Sequence, residues 1–236
     1  MIDIRKSEER GRADRGWVKG LFTFSFGDYH DPERNGFRSL RVMNEDRISP
    51  GKGFGPHAHR DMEIISYILE GQLVHRDSMG ERHTMGPNEI QLMSAGNGIV
   101  HSEFNASETE MLHMMQIWIE PRSEDLTPFY QQIAFSPEEK RGKLRLLAGP
   151  EASVGERTAV INQDIRLLVA EIARGESVAY VLGPGRYAWV QVVRGETSVN
   201  GRVLREGDGA ACGSEEELSV VGGGSEGGEV LVFDLH

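Results

Sequence analysis

Short alternating and apolar segments, separated by turn residues, run along the whole chain. Residues 21–26 alternate apolar with small polar side chains, which is the period of a half-buried strand. Residues 62–69 form a nearly continuous apolar run that ends at Glu70-Gly71, and residues 72–75 are typical of its hairpin partner. Further strands are predicted over residues 36–43, 90–93, 99–104 and 111–119.

The strand pattern begins again after residue 143, following a stretch of mixed character over residues 123–137. A short helix is predicted within that stretch, near residues 129–133. Turn signals such as Asn200-Gly201 separate the later segments, and short strands at even spacing favour a sandwich or barrel. The predicted strands of this half cover residues 144–147, 165–172, 177–182, 187–193, 197–199, 218–221 and 229–235.

The two halves have the outline of one repeated architecture. A hairpin at Gly71 is followed by a Gly-polar turn at residues 86–89, and a hairpin at Gly195 is followed by a similar turn at residues 206–209. These features predict domains over residues 1–122 and 143–236, joined by a connection over residues 123–142. Because seven of the eight histidines fall at or before residue 113, the chemistry is expected in the first domain.

Composition and charge narrow the class of protein. The net charge is -11, and no run of Lys and Arg offsets it, so direct binding to nucleic acid or to an anionic membrane surface is disfavoured. Binding to a basic protein stays open. A single cysteine, Cys212, excludes an intrachain disulfide, and no base lies near it in sequence to activate it. The charged first ten residues and the absence of a long apolar run predict a cytoplasmic protein.

Two pairs of candidate metal ligands are the main chemical signal. His57 and His59 follow the Gly/Pro-rich stretch of residues 50–56, which is predicted to be a loop, and His101 and Glu103 have the same i, i+2 spacing. Side chains two residues apart on a strand point to the same face, so four donors on two adjacent strands can converge on one ion. Imidazole and carboxylate without thiolate suit Fe(II), Ni(II), Mn(II), Cu(II) or Zn(II).

The carboxylate ligand is not settled by spacing. Glu63 and Asp61 share the parity of His57 and His59 on an extended strand, whereas Glu103 shares that of His101. Parity and proximity favour Glu103, and Glu63 is then expected to orient an imidazole.

The other histidines of this half have simpler interpretations. His75 and His83 flank a hairpin and are interpreted as solvated or turn-bonded, whereas His113 lies in an apolar segment and is interpreted as a hydrogen-bonded core residue.

Several sequence strings resemble known motifs. Gly51-x5-His57-x-His59-x3-Glu63 resembles the first cupin motif, and Gly98-x2-His101-x3-Asn105 resembles the second. The match is closer to one branch of the cupins, the pirin family, over about residues 17–120. Two departures from the general cupin pattern, a longer spacing from Glu63 to Gly71 and Gly96 in place of a proline, agree with that branch. The strings concerned are residues 25–29, 40–46, 57–63, 75–80 and 94–103.

The resemblance implies an all-β bicupin, with two double-stranded β-helix (jelly-roll) barrels of which only the first holds a metal. It implies His57, His59, His101 and Glu103 as ligands of one divalent ion, Fe(II) foremost, with Ni, Mn, Co, Cu or Zn as alternatives. Bacterial pirin relatives resemble quercetin 2,3-dioxygenases, which implies a flavonol and dioxygen as substrates. Glu103 would then stay bound to the metal or act as the general base for the 3-hydroxyl proton.

A rival interpretation is a non-enzymatic, metal-dependent regulator that binds a transcription factor or a metabolic enzyme. A structural zinc site is disfavoured because such sites usually include cysteine.

Overall fold

The computed structural model describes residues 2–151, 157–213 and 215–236, and its regular structure is almost entirely β-strand. The only helices in the described ranges are single 3-10 turns at Ser7–Glu9 and Pro137–Glu139, and none in these ranges is long and apolar enough to span a membrane. The strands are β1 (Ile2–Arg5), β2 (Gly11–Asp14), β3 (Val18–Phe22), β4 (Leu40–Ile48), β5 (Gly53–His59), β6 (Glu63–Glu70), β7 (Leu73–Asp77), β8 (Arg82–Met85), β9 (Glu89–Ser94), β10 (Ile99–Asn105), β11 (Leu112–Ile119), β12 (Phe129–Ala134), β13 (Arg145–Gly149), β14 (Ala159–Val160), β15 (Arg166–Ile172), β16 (Ser177–Val181), β17 (Tyr187–Val199), β18 (Arg202–Arg205), β19 (Gly209–Cys212), β20 (Glu217–Gly222) and β21 (Gly228–Leu235).

Residues 11–135 and 161–163 form one compact unit, which we call the first unit. Its larger sheet has seven strands in the order β12-β9-β6-β11-β4-β3-β2, and its smaller sheet has four in the order β5-β10-β7-β8. Both sheets are antiparallel, and their inner faces pack together as in a β-sandwich. Strands of both sheets contribute to one buried apolar cluster: Val18, Ile48, Ile68, Leu73, Met85, Leu112 and Met114.

The second unit consists of residues 2–10, 136–151, 157–160 and 164–236. Its main path is β1-β19-β17-β21-β15-β13-β14, with β16, β18 and β20 completing a ten-stranded sheet. The long strand β17 carries a β-bulge between Val192 and Arg194 and pairs with four other strands. Apolar side chains such as Val190 and Val232 fill its interior, and among the described residues every candidate group of metal ligands lies in the first unit.

The all-β prediction is confirmed, and several local predictions are wrong. The strand expected over residues 21–26 ends at Phe22, and the strand expected over residues 36–43 begins at Leu40. Residues 129–133 were expected to be helical, but they belong to β12, because hydrogen bonding to the neighbouring strand β9 overrides a weak local preference. The loop predicted over residues 50–56 ends early, because β5 already begins at Gly53 and includes Pro56. β5 lies at the edge of its sheet, where a proline without an N–H is tolerated. The predicted domain limits at residues 122 and 143 stay predictions.

Candidate metal centre and substrate cavity

Three histidines meet where β5 lies beside β10. His57 pairs directly with His101 in the strand register, and His59 pairs with Ile99. The ring centroids of His57 and His101 are 4.4 Å apart, and those of His59 and His101 are 4.9 Å apart. One ring nitrogen from each histidine lies within 4.8 Å of the other two. The structure thus brings together the three imidazoles that strand parity placed on one face.

The hydrogen bonds of these histidines leave ring nitrogens free for a metal. His57 Nδ1 donates to the carbonyl oxygen of Gly55 over 2.8 Å, which leaves the Nε2 lone pair available. His101 is 1% exposed, and neither of its ring nitrogens has a hydrogen-bond partner in the described part of the chain. A buried polar group without a partner is costly, so this arrangement fits a divalent metal ion, which would satisfy it.

Burial keeps two imidazoles of the cluster, those of His59 and His101, neutral. Burial, with a smaller contribution from His57, lowers the pKa of His59 to about 4. Burial and the neighbouring histidines lower the pKa of His101 to about 2. Neutral imidazole is the form that binds a metal, so neither residue has to lose a proton at neutral pH.

Glu103 supplies a buried carboxylate next to the histidines. Gln116 Nε2 donates to Glu103 Oε2 over 2.7 Å, and Ser66 Oγ donates to Oε1 over 3.2 Å. Burial raises the pKa of Glu103 to about 7, although both hydrogen bonds oppose the shift. A carboxylate oxygen of Glu103 lies within 4.8 Å of ring nitrogens of His101 and His75, so the carboxylate adjoins the cluster.

His75 is fully buried beside this centre, so of its two predicted interpretations the solvated one is wrong, and the turn-bonded one agrees with its hydrogen bond to Asp77, the residue that begins the following turn. Its Nε2 donates to Asp77 Oδ2 over 3.0 Å, and its Nδ1 lies 3.4 Å from Gln91 Nε2. Its ring centroid is 5.3 Å from that of His101. Since both ring nitrogens already have protein partners, His75 has a weaker claim as a ligand than His101. The signal in the sequence was the parity that His75 shares with Leu73, which lies in the core.

A hydrogen-bonded network continues from His75 toward the edge of the sheets. The Tyr130 hydroxyl lies 3.3 Å from Gln91 Oε1 and 2.9 Å from Gln132 Oε1. The Tyr130 ring stacks on His83 with centroids 4.6 Å apart, and His83 Nε2 is 2.6 Å from Glu81 Oε2. Burial raises the pKa of Tyr130, so its hydroxyl keeps its proton. This network fixes the orientation of His75.

Glu63 does not contact an imidazole in the described structure, so its predicted role in orienting one is wrong. Its carboxylate accepts hydrogen bonds from Ser94 Oγ at 2.6 Å and from Asn162. Strand parity fails between His59 and Glu63 because β5 ends at His59 and Asp61 has a φ of +48°. Asp61 lies in this turn, where it accepts a hydrogen bond from a backbone N–H.

The structure agrees with the structural interpretation of His113 and Cys212. His113 is buried, and its Nε2 lies 2.9 Å from Glu45 Oε1, which confirms a hydrogen-bonded core histidine. Cys212 is fully buried, and burial raises the pKa of its thiol to about 12, which keeps it unreactive.

A cavity of about 810 Å³ ends on the metal-ligand candidates His57, His59 and Glu103. The ring of Trp118 stands edge-on to that of His59 with centroids 4.9 Å apart. The volume is within the range of pockets that hold drug-sized molecules, and the walls suit a flat aromatic ligand. The aromatic residues lining it are Trp17, Phe22, Phe26, Tyr29, Phe54 and Trp118.

Polar groups from β4 also line this cavity, and the sequence interpretation missed them. Asn44 and Asp46 are buried, and both share a face of β4 with Val42 and Ile48. Burial, followed by the charges of Glu103 and Glu45, raises the pKa of Asp46 to about 7. Both residues occupy alternate positions of a core strand, where buried apolar side chains are expected, and this pattern in the sequence could have identified them.

Two protein-family models match most of the chain. A family model described as Pirin matches residues 3–119, and one described as Quercetinase C-terminal cupin domain matches residues 146–235. The chain is 43% identical over 235 residues to a quercetin 2,3-dioxygenase of Escherichia coli K12, covering 100% of this chain and 99% of that protein. This chain belongs to the pirin family.

Other relatives and solved structures agree with this assignment. A pirin-like protein of Caulobacter vibrioides is 37% identical, with 99% of each chain covered. The crystal structure of YhhW from E. coli matches with a TM-score of 0.94 at 42% identity, covering 100% of this chain and 98% of that one. A nickel(II) complex of the bacterial pirin YhhW matches with a TM-score of 0.92 at 41% identity, covering 100% and 99%. The predicted bicupin fold and family are therefore confirmed.

Proposed function

We propose that this pirin is a metal-dependent dioxygenase that cleaves flavonols such as quercetin. The observation that carries the proposal is the aromatic-walled cavity that ends on His57, His59 and Glu103. A flavonol is a flat, hydroxylated aromatic molecule, and a cavity with aromatic walls and a few polar groups suits such a ligand. The relatives named quercetin 2,3-dioxygenase support the same reaction.

The metal would be held by His57 through Nε2, by ring nitrogens of His59 and His101, and by the Glu103 carboxylate. A bound divalent transition metal supplies Lewis-acid polarisation of a substrate oxygen and redox chemistry with dioxygen. We propose Fe(II), with Ni, Mn, Co, Cu or Zn as alternatives; the nickel(II) complex of the E. coli pirin YhhW supports nickel as one of them.

The protein groups around the metal position the substrate and can accept its proton. Glu103 either stays on the metal or leaves it to accept the proton of the flavonol 3-hydroxyl, and Ser66 and Gln116 keep its carboxylate oriented through their hydrogen bonds. Trp118, beside His59, packs against the flavonol ring, and the other aromatic walls exclude water from the reacting atoms.

The test is reconstitution of the metal-free protein with Fe(II), Ni(II), Mn(II), Co(II) or Cu(II). Loss of quercetin absorbance in air is followed together with dioxygen uptake, beside His57→Ala and Glu103→Ala variants. We expect at least one metal to support turnover, with one dioxygen consumed per flavonol, and both variants to lose it. If wild type and variants are equally inactive with every metal, the enzyme proposal fails, and a protein that co-purifies would then favour the regulatory role.

Metal analysis of matched carboxylate variants tests the ligand set separately. We expect Glu103→Ala to lose metal and Glu63→Ala to keep it, because Glu63 bonds to Ser94 and Asn162. The reverse result would contradict the assignment of Glu103 as the fourth ligand.

A further inference from the structure

Three polar groups that line the cavity lack the partners that buried groups normally have. Asn44 Oδ1 and Trp118 Nε1 are buried without a hydrogen-bond partner among residues 2–151, 157–213 and 215–236. Asp46 is 5% exposed as a residue, and within the same ranges its carboxylate accepts no hydrogen bond. Buried polar groups are nearly always paired, so unpaired ones in one cavity indicate a ligand.

The space around Asp46 is kept open by its neighbour on β3. Asp46 pairs with Gly20 in the register, and a Cβ on Gly20 would lie 2.8 Å from Asp46 Oδ1. The carboxylate therefore lies over a residue without a side chain, on the cavity wall.

Arg12 and Arg15 line the same cavity, but among the described residues no cation is among the groups that shift the pKa of Asp46. The charged groups that affect it most are carboxylates, those of Glu103 and Glu45, which disfavour a second negative charge nearby. Asp46 is also outside both candidate groups of metal ligands. A buried, uncompensated acid opposes folding, and proteins keep such residues at sites where function requires them.

We propose that Asp46 and Asn44 form a recognition site for the hydroxyl groups of the substrate, and that Asp46 determines specificity for polyhydroxylated flavonols. This inference rests on the proposed function and names its substrate class. Asn44 and Asp46 are two residues apart on β4, so their Cα atoms are separated by roughly 6.5–7 Å along one face. Two hydroxyl groups on one flavonol can reach both acceptors, and a phenolic O–H donates a short, strong hydrogen bond to a carboxylate.

The three unpaired buried groups fit donors on the ligand better than acceptors, although Arg12 and Arg15 add donors to the cavity lining. Asp46 and Asn44 Oδ1 present acceptors, whereas Trp118 Nε1 presents a single donor that suits a carbonyl or ring oxygen. A flavonol offers several hydroxyl donors together with a carbonyl oxygen, so it can satisfy all three groups.

The test compares binding by flavonols that share one skeleton and carry two, one or no hydroxyl groups on the pendant ring: quercetin, kaempferol and galangin. Affinities are measured by calorimetry on the metal-loaded protein without dioxygen, so that no turnover is needed. We expect wild type to prefer quercetin over galangin by about 10- to 100-fold, the range of a hydrogen bond to a charged group. We expect Asp46→Ala to reduce this ratio to below about 3-fold.

Two further variants separate recognition from structure. Asp28→Ala changes an exposed carboxylate that lines the same cavity, and we expect it to keep the wild-type ratio. Asp46→Asn removes only the charge, and we expect a higher melting temperature together with a lower ratio, since an unpaired buried charge is lost. A purely structural Asp46 would instead give a lower melting temperature and an unchanged ratio, which would overturn the inference.

The outcomes also separate this inference from the proposed reaction. If wild type binds the three flavonols equally, or binds none, the recognition site is wrong whatever the turnover assay shows. If the affinity ratio depends on Asp46 but no metal supports turnover in air, the recognition site stands and the dioxygenase proposal fails.

Discussion

The pairing of β5 with β10 should be essential for the metal centre, and two glycines on β5 provide a matched test. A Cβ on Gly53 would lie 2.1 Å from the carbonyl oxygen of Glu103 and 2.5 Å from Phe104 Cα, whereas a Cβ on Gly55 would meet nothing within 4 Å. Neither glycine has a positive φ, so the two Gly→Ala changes differ in available space and not in backbone strain.

The expected magnitude follows from these distances. The 2.1 Å contact is short of normal packing by about 1 Å or more, and both obstacles are backbone atoms, so β5 has to move away from β10. Overpacking of this kind costs about 1–3 kcal/mol of folding free energy. A displacement of about 1 Å at His57 relative to His101 should reduce turnover by roughly 100-fold.

The assay measures metal affinity by chelator competition and unfolding by denaturant for both variants. We expect Gly53→Ala to lower both, and Gly55→Ala to match wild type in both within about 0.5 kcal/mol. If Gly53→Ala unfolds at a lower denaturant concentration but keeps wild-type metal affinity, the imidazoles of β5 are not ligands. That result would refute the argument for the site.

Two further predictions concern hydrogen bonds to buried carboxylates. Gln116→Met removes the 2.7 Å hydrogen bond to Glu103, and we expect the metal affinity to fall by about 10- to 100-fold. The control, Gln132→Met on the same sheet, should leave the metal affinity unchanged. Equal metal affinities in the two variants would count against Glu103 as a ligand. Burial alone would raise the pKa of Asp208, but hydrogen bonds from Lys6, Arg205 and Ser7 hold it below its usual value. A lowered folded-state pKa stabilises the protein above the unfolded value of about 4, and this stabilisation is lost as the pH falls further. Asp208→Asn should therefore cost about 1–3 kcal/mol at pH 7 and progressively less below pH 4 in denaturant titrations, and a cost independent of pH would contradict this origin.

Strand parity predicted most of the centre because it is a local property of a continuous strand. His57 with His59, and His101 with Glu103, each lie within one unbroken strand, so alternation applies to them. A bulge between His101 and Glu103 shifts the register against β5, but the pairing of β10 with β7 runs through without a break. Glu103 therefore stays on the side that parity indicated.

The wrong predictions have a common cause: each feature depends on turns or neighbouring strands that lie outside the local sequence segment. Glu63 was assigned across a turn that the sequence does not mark. Residues 129–133 form a strand because β9 offers hydrogen bonds at that edge. His75 and Asp46 were misjudged or missed because their burial depends on which strands lie opposite them, and only the sheet order shows this.

The larger sheet organises the site through one row of polar residues that crosses five strands. Asn44 pairs with Gln116, Gln116 with Ser66, Ser66 with Gln91, and Gln91 with Gln132. Directly paired residues on antiparallel strands point to the same face, so this row forms a polar band across an otherwise apolar surface.

The members of this band contact two different parts of the proposed site, the candidate metal ligands and the cavity. Gln116 and Ser66 hold Glu103, and Gln91 holds His75, so the middle of the band is saturated by the groups that surround the metal. At one end Asn44 Oδ1 has no partner in the described structure, and it lies on the cavity wall beside Asp46. If this row of residues contributed only to folding, every buried polar atom in it would have a hydrogen-bond partner, because unpaired buried polar atoms cost stability. In the proposed dioxygenase, the hydroxyl groups of the flavonol would complete the unsatisfied end of the band, and one row of the sheet would orient both Glu103 and the substrate.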